Sequence, residues 1–182
     1  MRITWRATLA VVLAAAAFGA PTSAAAPDPI GGAASVGPLA QAVRVDPPAP
    51  PAPAVSPMLR DMLDRVNAER SARGLAPMRY DDRLVLAAQR HSDDQARRGR
   101  MSHTGGDGST MSIRVDRVGY DWRRLAENVA YGQPDVAAVM DAWMSSAGHR
   151  RNILSTNVHL GAGVAYGTDG RPYWTQVFGT PS

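Results

Sequence analysis

The sequence predicts an α+β fold in which helices pack on an antiparallel sheet. Two observations lead to this class. Apolar residues recur at helical spacing from residue 58 onwards, whereas residues 158–179 alternate between apolar and polar positions as strands do. Helices that come first and strands that come last favour an α+β arrangement over an alternating α/β fold.

The N-terminal residues predict a signal peptide. Two arginines precede the apolar run ATLAVVLAAAAFGA, which has the length of a signal-peptide core and is short for a bilayer span. The small residues of PTSAAAP follow, and cleavage after Ala24, Ala25 or Ala26 fits what a signal peptidase reads. We therefore predict a signal peptide over residues 1–26 and a secreted, extracellular protein of the cell envelope with no membrane span after cleavage. An uncleaved membrane anchor is the alternative.

The next segment predicts a tether. Residues 27–57 are rich in proline, alanine and glycine, as in VDPPAPPAPAVSP. Such a composition buries too little apolar surface to offset the entropy of ordering the chain. We expect a disordered tether here and a folded domain over residues 58–182.

Two long helices open the predicted domain. In the first, Ser56 can serve as N-cap, Pro57 suits the first helical position and Gly74 can end the helix. The second helix follows the same logic, with Asp81 or Asp82 as the N-cap. Gly99 is predicted to end it.

The rest of the domain divides into four predicted pieces. Residues 100–109 form a glycine-rich loop, and TMSIRVDRVGY can form a short helix. A further helix lies in QPDVAAVMDAWMSS, with Pro134 near its start. The segments VHLGAGVAYG and RPYWTQVFG, joined around TDG, predict a terminal β-hairpin.

Composition excludes several kinds of chemistry. All 20 basic residues are arginine, and the pI of about 10.1 reflects the absence of lysine and cysteine more than the modest net charge of +4. We therefore expect no nucleic-acid partner. Without cysteine there are no disulfides, thiolate metal sites or cysteine nucleophile.

Three residues are candidates for a site. His103 lies in the glycine-rich loop, Glu127 stands among apolar residues in LAENVAYG, and His149 follows Gly148 at a predicted helix break. Two imidazoles and one carboxylate are an accepted ligand set for a catalytic zinc with an open water position. Their spacing differs from the helical zinc signature and leaves an alternative open. In that alternative, Glu127 caps a helix or pairs with an arginine, and His149 caps a helix.

Other candidates have structural interpretations. His91 lies on an apolar helical face and is predicted to be a buried histidine. Trp143, Trp174 and Phe178 are predicted core residues. His159 alternates with core positions and is predicted to face solvent or the other face of the sheet.

A resemblance covers the whole predicted domain. The segments SHTGG, AENVAYG, AWMSSAGHRRNIL, HLGAGVAYG and YWTQVFG occur in this order. Together they resemble the bacterial branch of the CAP superfamily, whose SCP domain is shared by cysteine-rich secretory proteins, antigen 5 of insect venoms and plant pathogenesis-related proteins. The resemblance implies a three-layer α-β-α sandwich with a central antiparallel sheet and a large cleft. In the family this cleft typically holds two histidines and two glutamates, and in some members it binds a divalent metal.

The resemblance also implies particular site residues. His103 and Glu127 match the first histidine and the first glutamate of the family pattern, and bacterial members supply the histidine of GHR, here His149. Ser146 stands where animal and plant members have a glutamate, and Tyr173 where they have a histidine. We therefore expect His103, Glu127 and His149 to hold zinc or another divalent cation, within a ligand cleft that includes Ser146 and Tyr173.

The function that we predict is ligand binding. The cleft of a secreted, monomeric binding module would hold a lipid, a sterol-like molecule or a small cell-wall ligand. The first alternative is an extracellular hydrolase that uses a metal-bound water or a Ser/His/Glu set, although no G-x-S-x-G nucleophile elbow is present. The second alternative is an interaction protein whose site residues only brace the fold.

Overall fold

The computed structural model describes residues 56–182, so the predicted signal peptide and nearly all of the predicted tether lie outside the described residues. The elements in chain order are α1 (Pro57–Ser71), β1 (Arg79–Tyr80), α2 (Asp82–Arg98), α3 (Met111–Asp116), β2 (Arg124–Tyr131), α4 (Val136–Ser145), α5 (Ala147–Ile153), β3 (His159–Tyr166) and β4 (Pro172–Thr180). The predicted α+β class is confirmed.

The sheet has the strand order β1-β3-β4-β2. The three long strands pair antiparallel, with β4 between β3 and β2, and the predicted terminal hairpin is formed by β3 and β4. The exception is β1, whose two residues pair parallel to the start of β3. The sequence contains no signal for β1, because two residues are too few to show an alternating pattern.

Helices cover both faces of this sheet, which gives the three layers. On one face, α1 and α4 pack over a core that includes Met62, Trp143 and Phe178. On the other face, α2 and α3 pack over a smaller cluster that includes Leu84 and Val177. Trp143 and Phe178, like Trp174, are buried as predicted.

Capping residues begin and end the long helices largely as expected. The Ser56 hydroxyl accepts a hydrogen bond from the Leu59 amide at 3.2 Å, and the Asp81 carboxylate caps α2. Gly99 ends α2 in the left-handed conformation, with φ 59°. α1 ends at Ser71, before Gly74, which adopts a positive φ in the turn that follows.

The backbone of α2 lies unusually close to β3. A Cβ atom on Gly161 would lie 2.1 Å from the carbonyl carbon of Leu84, and one on Gly163 would lie 2.5 Å from the Cα of Gln89. The side chain of Gln89 also bonds to both the amide and the carbonyl of Val164. Only glycine allows this approach, which fixes α2 against the sheet.

Strand β2 has both faces covered along its second half. Residues 127–130 are all buried, so β2 lacks the period-2 contrast by which a half-exposed strand is recognised. Helix α5 lies beside this strand, because Asn152 donates a hydrogen bond to the carbonyl oxygen of Glu127 at 3.1 Å. These contacts place β2 between the elements that carry the candidate site residues.

Candidate functional site

Glu127 is the centre of the candidate site. Its strand position lies opposite Val177 of β4, and its side chain is only 3% exposed. One carboxylate oxygen accepts a hydrogen bond from Nδ1 of His103 at 2.9 Å, and the other accepts one from Nη2 of Arg114 at 2.6 Å. Both oxygens of the carboxylate are therefore engaged.

Arg114 holds Glu127 from the side of α3. Its side chain is 9% exposed, and its Nη1 donates a further hydrogen bond to the carbonyl oxygen of Ser109 at 2.8 Å. Helix α3 is itself capped by Thr110, whose hydroxyl accepts from the Ile113 amide. Because a buried carboxylate without a cationic partner is costly, the ion pair with Arg114 stabilises the buried position of Glu127.

His103 is the exposed member of the group. Its side chain is 62% exposed, and with Nδ1 bonded to Glu127 the nitrogen that remains is Nε2. The hydrogen bond to Glu127 raises the pKa of His103 above its usual value. The loop that carries it is fixed near both ends, since Gln95 accepts from the Ser102 amide and Asp94 accepts from the Gly106 amide.

His149 lies on α5, beside the same strand. Asn128 of β2 donates a hydrogen bond to the carbonyl oxygen of His149 at 3.3 Å and accepts one from Asn152 at 2.8 Å. Burial, and then the neighbouring charge of His103, lowers the pKa of His149. The two imidazoles are thus near enough to interact electrostatically, and their pKa values shift in opposite directions.

The structure brings some predicted metal ligands together and not others. His103 and Glu127 are in direct contact, and His149 is an electrostatic neighbour of His103. Within residues 56–182, no group of three or more histidine, cysteine, aspartate or glutamate side chains is placed to hold a metal ion. Glu127 instead pairs with an arginine, which is the alternative that the sequence left open.

Ser146 and Tyr173 occupy different surroundings. Ser146 lies at the junction of α4 and α5, and its carbonyl oxygen accepts from the Arg150 amide. Tyr173 is buried opposite Tyr131 of β2, with ring centroids 4.6 Å apart. It is four strand residues from Val177, roughly 13 Å along the strand at the usual rise, and so lies away from Glu127.

Two further histidines have structural partners. His91 is 1% exposed, and its Nε2 donates to the carbonyl oxygen of Ser102 at 2.8 Å, while its Nδ1 has no hydrogen-bond partner. Burial lowers the pKa of His91, so the neutral ring is favoured. His159 accepts a hydrogen bond from the hydroxyl of Tyr120 at 2.9 Å and is partly buried. His91 is thus buried as predicted, with one ring nitrogen bonded.

A cavity of about 420 Å³ adjoins the candidate site, between α2, residues 105–109 and α3. Its lining is dominated by charged side chains: Arg90, Arg97, Arg114, Arg117, Asp93, Asp94 and Asp107. Arg114 belongs both to this wall and to the ion pair with Glu127. Sequence reasoning missed the cavity, because charged residues on helices usually indicate a solvated face.

Sequence reasoning also missed two residues that position the site. Arg114 could not be selected as the partner of Glu127 among 20 arginines. Asn152 gives no sequence signal beyond its place three residues after His149, which puts both on one face of α5. Arg114 holds the side chain of Glu127, and Asn152 joins the helix that carries His149 to the strand that carries Glu127.

The fold and the site define a class, namely a helix–sheet–helix domain in which a buried carboxylate holds an exposed imidazole. The model of the CAP family, described as the cysteine-rich secretory protein family, matches residues 63–178. The chain belongs to this family.

Relatives with known sequences or structures agree with that assignment. The chain is 32% identical over 125 residues to the uncharacterized protein YkwD of Bacillus subtilis, covering 68% of this chain and 48% of the relative. It is also 32% identical over 120 residues to the uncharacterized membrane protein YlbC of the same organism, and this match covers 65% of this chain and 33% of YlbC. The chain thus spans half or less of the length of these curated relatives.

A solved structure gives the same fold. An extracellular protein of Bacillus anthracis that contains an SCP domain superposes with a TM-score of 0.60 at 28% identity, covering 66% of this chain and 39% of that one. This relative is described as extracellular, whereas YlbC is described as a membrane protein. Across residues 56–182, none of the helices combines the length and apolar character needed to cross a bilayer.

Proposed function

We propose that this CAP domain is an extracellular binding module that holds a polar cell-wall ligand at the surface formed by His103 and His149. One observation carries the proposal. A buried ion pair between Arg114 and Glu127 fixes the orientation of an imidazole that is itself largely exposed. An arrangement of this kind costs desolvation energy, and it presents a polar group to a partner outside the domain.

The two imidazoles offer complementary hydrogen bonding. Glu127 fixes Nδ1 of His103 as a donor and raises the pKa of the ring, so that Nε2 can also donate to an anionic or carbonyl oxygen. The lowered pKa of His149 favours its neutral form, which can accept from a hydroxyl group. A donor and an acceptor on neighbouring imidazoles suit a hydroxylated ligand.

The surroundings favour a cell-wall ligand over a lipid or a sterol-like molecule. Pockets for apolar ligands are lined mainly by hydrophobic and aromatic side chains. The cavity beside the candidate site has no large aliphatic side chain, phenylalanine or tryptophan among its described lining residues, and most of its side chains carry charged groups that can bind a polar ligand. A saccharide or short peptide of the cell wall matches this lining better than an acyl chain does.

A metal is not part of the proposal. A catalytic zinc takes three protein ligands, whereas the oxygens of Glu127 are engaged by His103 and Arg114. The donor set that remains, His103 and His149, does not fit the predicted three-ligand site. Metal content of the purified chain tests that earlier expectation directly, and binding as proposed here does not depend on it.

A hydrolase is the second candidate, and the opposite pKa shifts of His103 and His149 favour it. Pairs of titratable groups whose pKa values are driven apart are typical of a general acid and a general base. A Ser/His/Glu set is less well supported, because no serine hydroxyl bonds to either ring within residues 56–182; the Ser102 hydroxyl accepts from the Thr104 amide. A bell-shaped pH profile for release of sugar or peptide from cell walls, lost in His149→Ala, would establish the hydrolase.

The experiment is cosedimentation of the full chain with purified peptidoglycan sacculi and, in parallel, with phospholipid vesicles. We expect binding to sacculi that weakens at least about tenfold in His103→Ala and in His149→Ala. Thr104→Ala is the matched control, since this exposed side chain lies in the same loop and its hydroxyl makes no hydrogen bond to the described part of the chain. Unchanged binding in both histidine variants would overturn the site, and binding to vesicles alone would overturn the ligand class.

A further inference from the structure

We propose that the cavity between α2, residues 105–109 and α3 binds a saccharide unit that carries one carboxylate, with Arg90 as the group that recognises the carboxylate. This inference rests on the proposed function, because it assumes that the ligand in the cavity comes from the cell wall. It uses a different set of side chains from the imidazoles of His103 and His149, so the two proposals can be tested separately.

The cavity has the size and position of a binding site. Its volume of about 420 Å³ lies within the range of roughly 300–1,000 Å³ that is usual for small-molecule sites. Arg114 forms part of its wall and holds Glu127, which in turn orients His103. A ligand in the cavity would therefore lie next to the surface of His103 and could extend onto it.

Arg90 differs from the other arginines of the wall. Arg97 pairs with Asp94, Arg117 pairs with Asp107 at 2.5 Å, and Arg114 pairs with Glu127. Arg90 has an exposed side chain and no ion-pair partner within the described part of the chain. Its guanidinium is thus free for the bidentate contact with a carboxylate that arginine makes best.

The carboxylates of the wall suit hydroxyl groups. Asp93 accepts a hydrogen bond from the side-chain amide of Gln89 and pairs with no arginine among residues 56–182, so it keeps free acceptor sites. Asp107 is about half exposed and accepts from Arg117 and from the Ser109 amide. Sugar hydroxyls are donors that such oxygens can accept from, and a hydroxyl that entered at His91 would supply the donor that its Nδ1 lacks.

The balance of charge limits what the cavity can accept. Three of the four arginines on the wall are already paired with carboxylates, namely those of Asp94, Asp107 and Glu127, so Arg90 is the unpaired arginine of the wall within the described residues. One carboxylate matches this single unpaired guanidinium, whereas the several charges of a polyphosphate or nucleic acid would be repelled by the three aspartates. A neutral sugar would leave Arg90 unpaired.

The test is titration calorimetry of the full chain with two probes, a disaccharide that ends in glucuronic acid and the same disaccharide with neutral glucose in its place. We expect at least tenfold tighter binding of the acidic probe. Arg90→Gln should abolish this preference, and Asp93→Asn should weaken binding of both probes. Arg123→Gln is the matched control, because Arg123 is exposed, has no ion-pair partner within residues 56–182 and does not line the cavity.

Each outcome bears on one proposal. Equal affinity for the two probes, or a preference that survives Arg90→Gln, would overturn the cavity proposal, even if sacculus binding still depends on His103. Conversely, a preference lost in Arg90→Gln would support the cavity. If sacculus binding were then unchanged in His103→Ala and His149→Ala, the proposal for the histidine surface would fall alone.

Discussion

Replacing Arg114 by methionine tests the ion pair on which the candidate site is built. The substitution keeps an unbranched apolar side chain in a helix and removes the guanidinium that bonds to Glu127 at 2.6 Å. The carboxylate, 3% exposed, then keeps His103 as its remaining charged neighbour. We expect a folded but markedly less stable protein.

The magnitude follows from the burial of both partners. Removing one member of a buried ion pair costs about 3–5 kcal/mol, because the other charge stays buried and unpaired. The hydrogen bond from Arg114 to the carbonyl of Ser109 is lost as well, while protonation of His103 offsets part of the loss. We expect a net loss of about 4 kcal/mol in the free energy of unfolding. For a domain of this size, that is a fall of roughly 10–20 °C in Tm.

The assay is a double-mutant cycle with urea unfolding of the full chain near pH 7. Arg114→Met, Glu127→Gln and the double variant are compared with the unchanged protein. Because the double variant has no unpaired charge, it should lose less stability than the sum of the single changes, with a coupling of about 2–3 kcal/mol. A loss below about 1 kcal/mol in Arg114→Met, or additive effects, would refute the reasoning.

Three further predictions concern stability. Because Glu127 raises the pKa of His103, the contribution of this ion pair to the free energy of unfolding is fully present below about pH 6.5 and is lost as the pH rises through the folded pKa. Urea unfolding from pH 5 to 9 should show this loss of stability, and the pH dependence should be weaker in Glu127→Gln. Gly163→Ala should lower the free energy of unfolding by several kcal/mol, because the added Cβ would lie 2.5 Å from a backbone atom of α2. Gly148→Ala, whose Cβ would meet open space within a helix, should leave stability unchanged or raise it slightly. A comparison of Tm values checks both. Arg70→Met should lower the free energy of unfolding by about 3 kcal/mol or more, because the buried guanidinium donates to three backbone carbonyls at 2.7–2.9 Å; near-equal urea midpoints would contradict this.

Local signals in the sequence predicted much of the fold. The caps at Ser56 and Asp81 and the glycine at residue 99 act within one or two turns, so they can be recognised without tertiary information. The terminal hairpin has both an alternating pattern and a turn sequence. Strand β2 was not assigned, because burial on both faces removes the alternation that identifies a strand.

The candidate site was harder to predict, because its contacts are between distant segments. His103 and Glu127 were selected as site residues, and the structure joins them at 2.9 Å. The role of Arg114 depends on how α3 packs on β2, which no spacing in the sequence specifies. Tyr173 was predicted to line the cleft from its match to a family position, and its strand register places it beside Tyr131, a neighbour that the sequence alone does not reveal.

The glycines of β3 bear on how the charged cavity can respond to a ligand. Because Gly161 and Gly163 bring the strand into backbone contact with α2, and Gln89 bonds to Val164 on the same side, the helix can neither turn about its axis nor slide along the sheet without losing these contacts. Arg90, Asp93 and Asp94 are therefore carried on a fixed support, and adaptation to a bound molecule must come from the loop of residues 105–109 and from side-chain rotamers. Binding of a ligand at this wall would order little additional backbone and so would cost little conformational entropy. Selectivity would therefore depend on the positions in which the helix already holds its charged side chains.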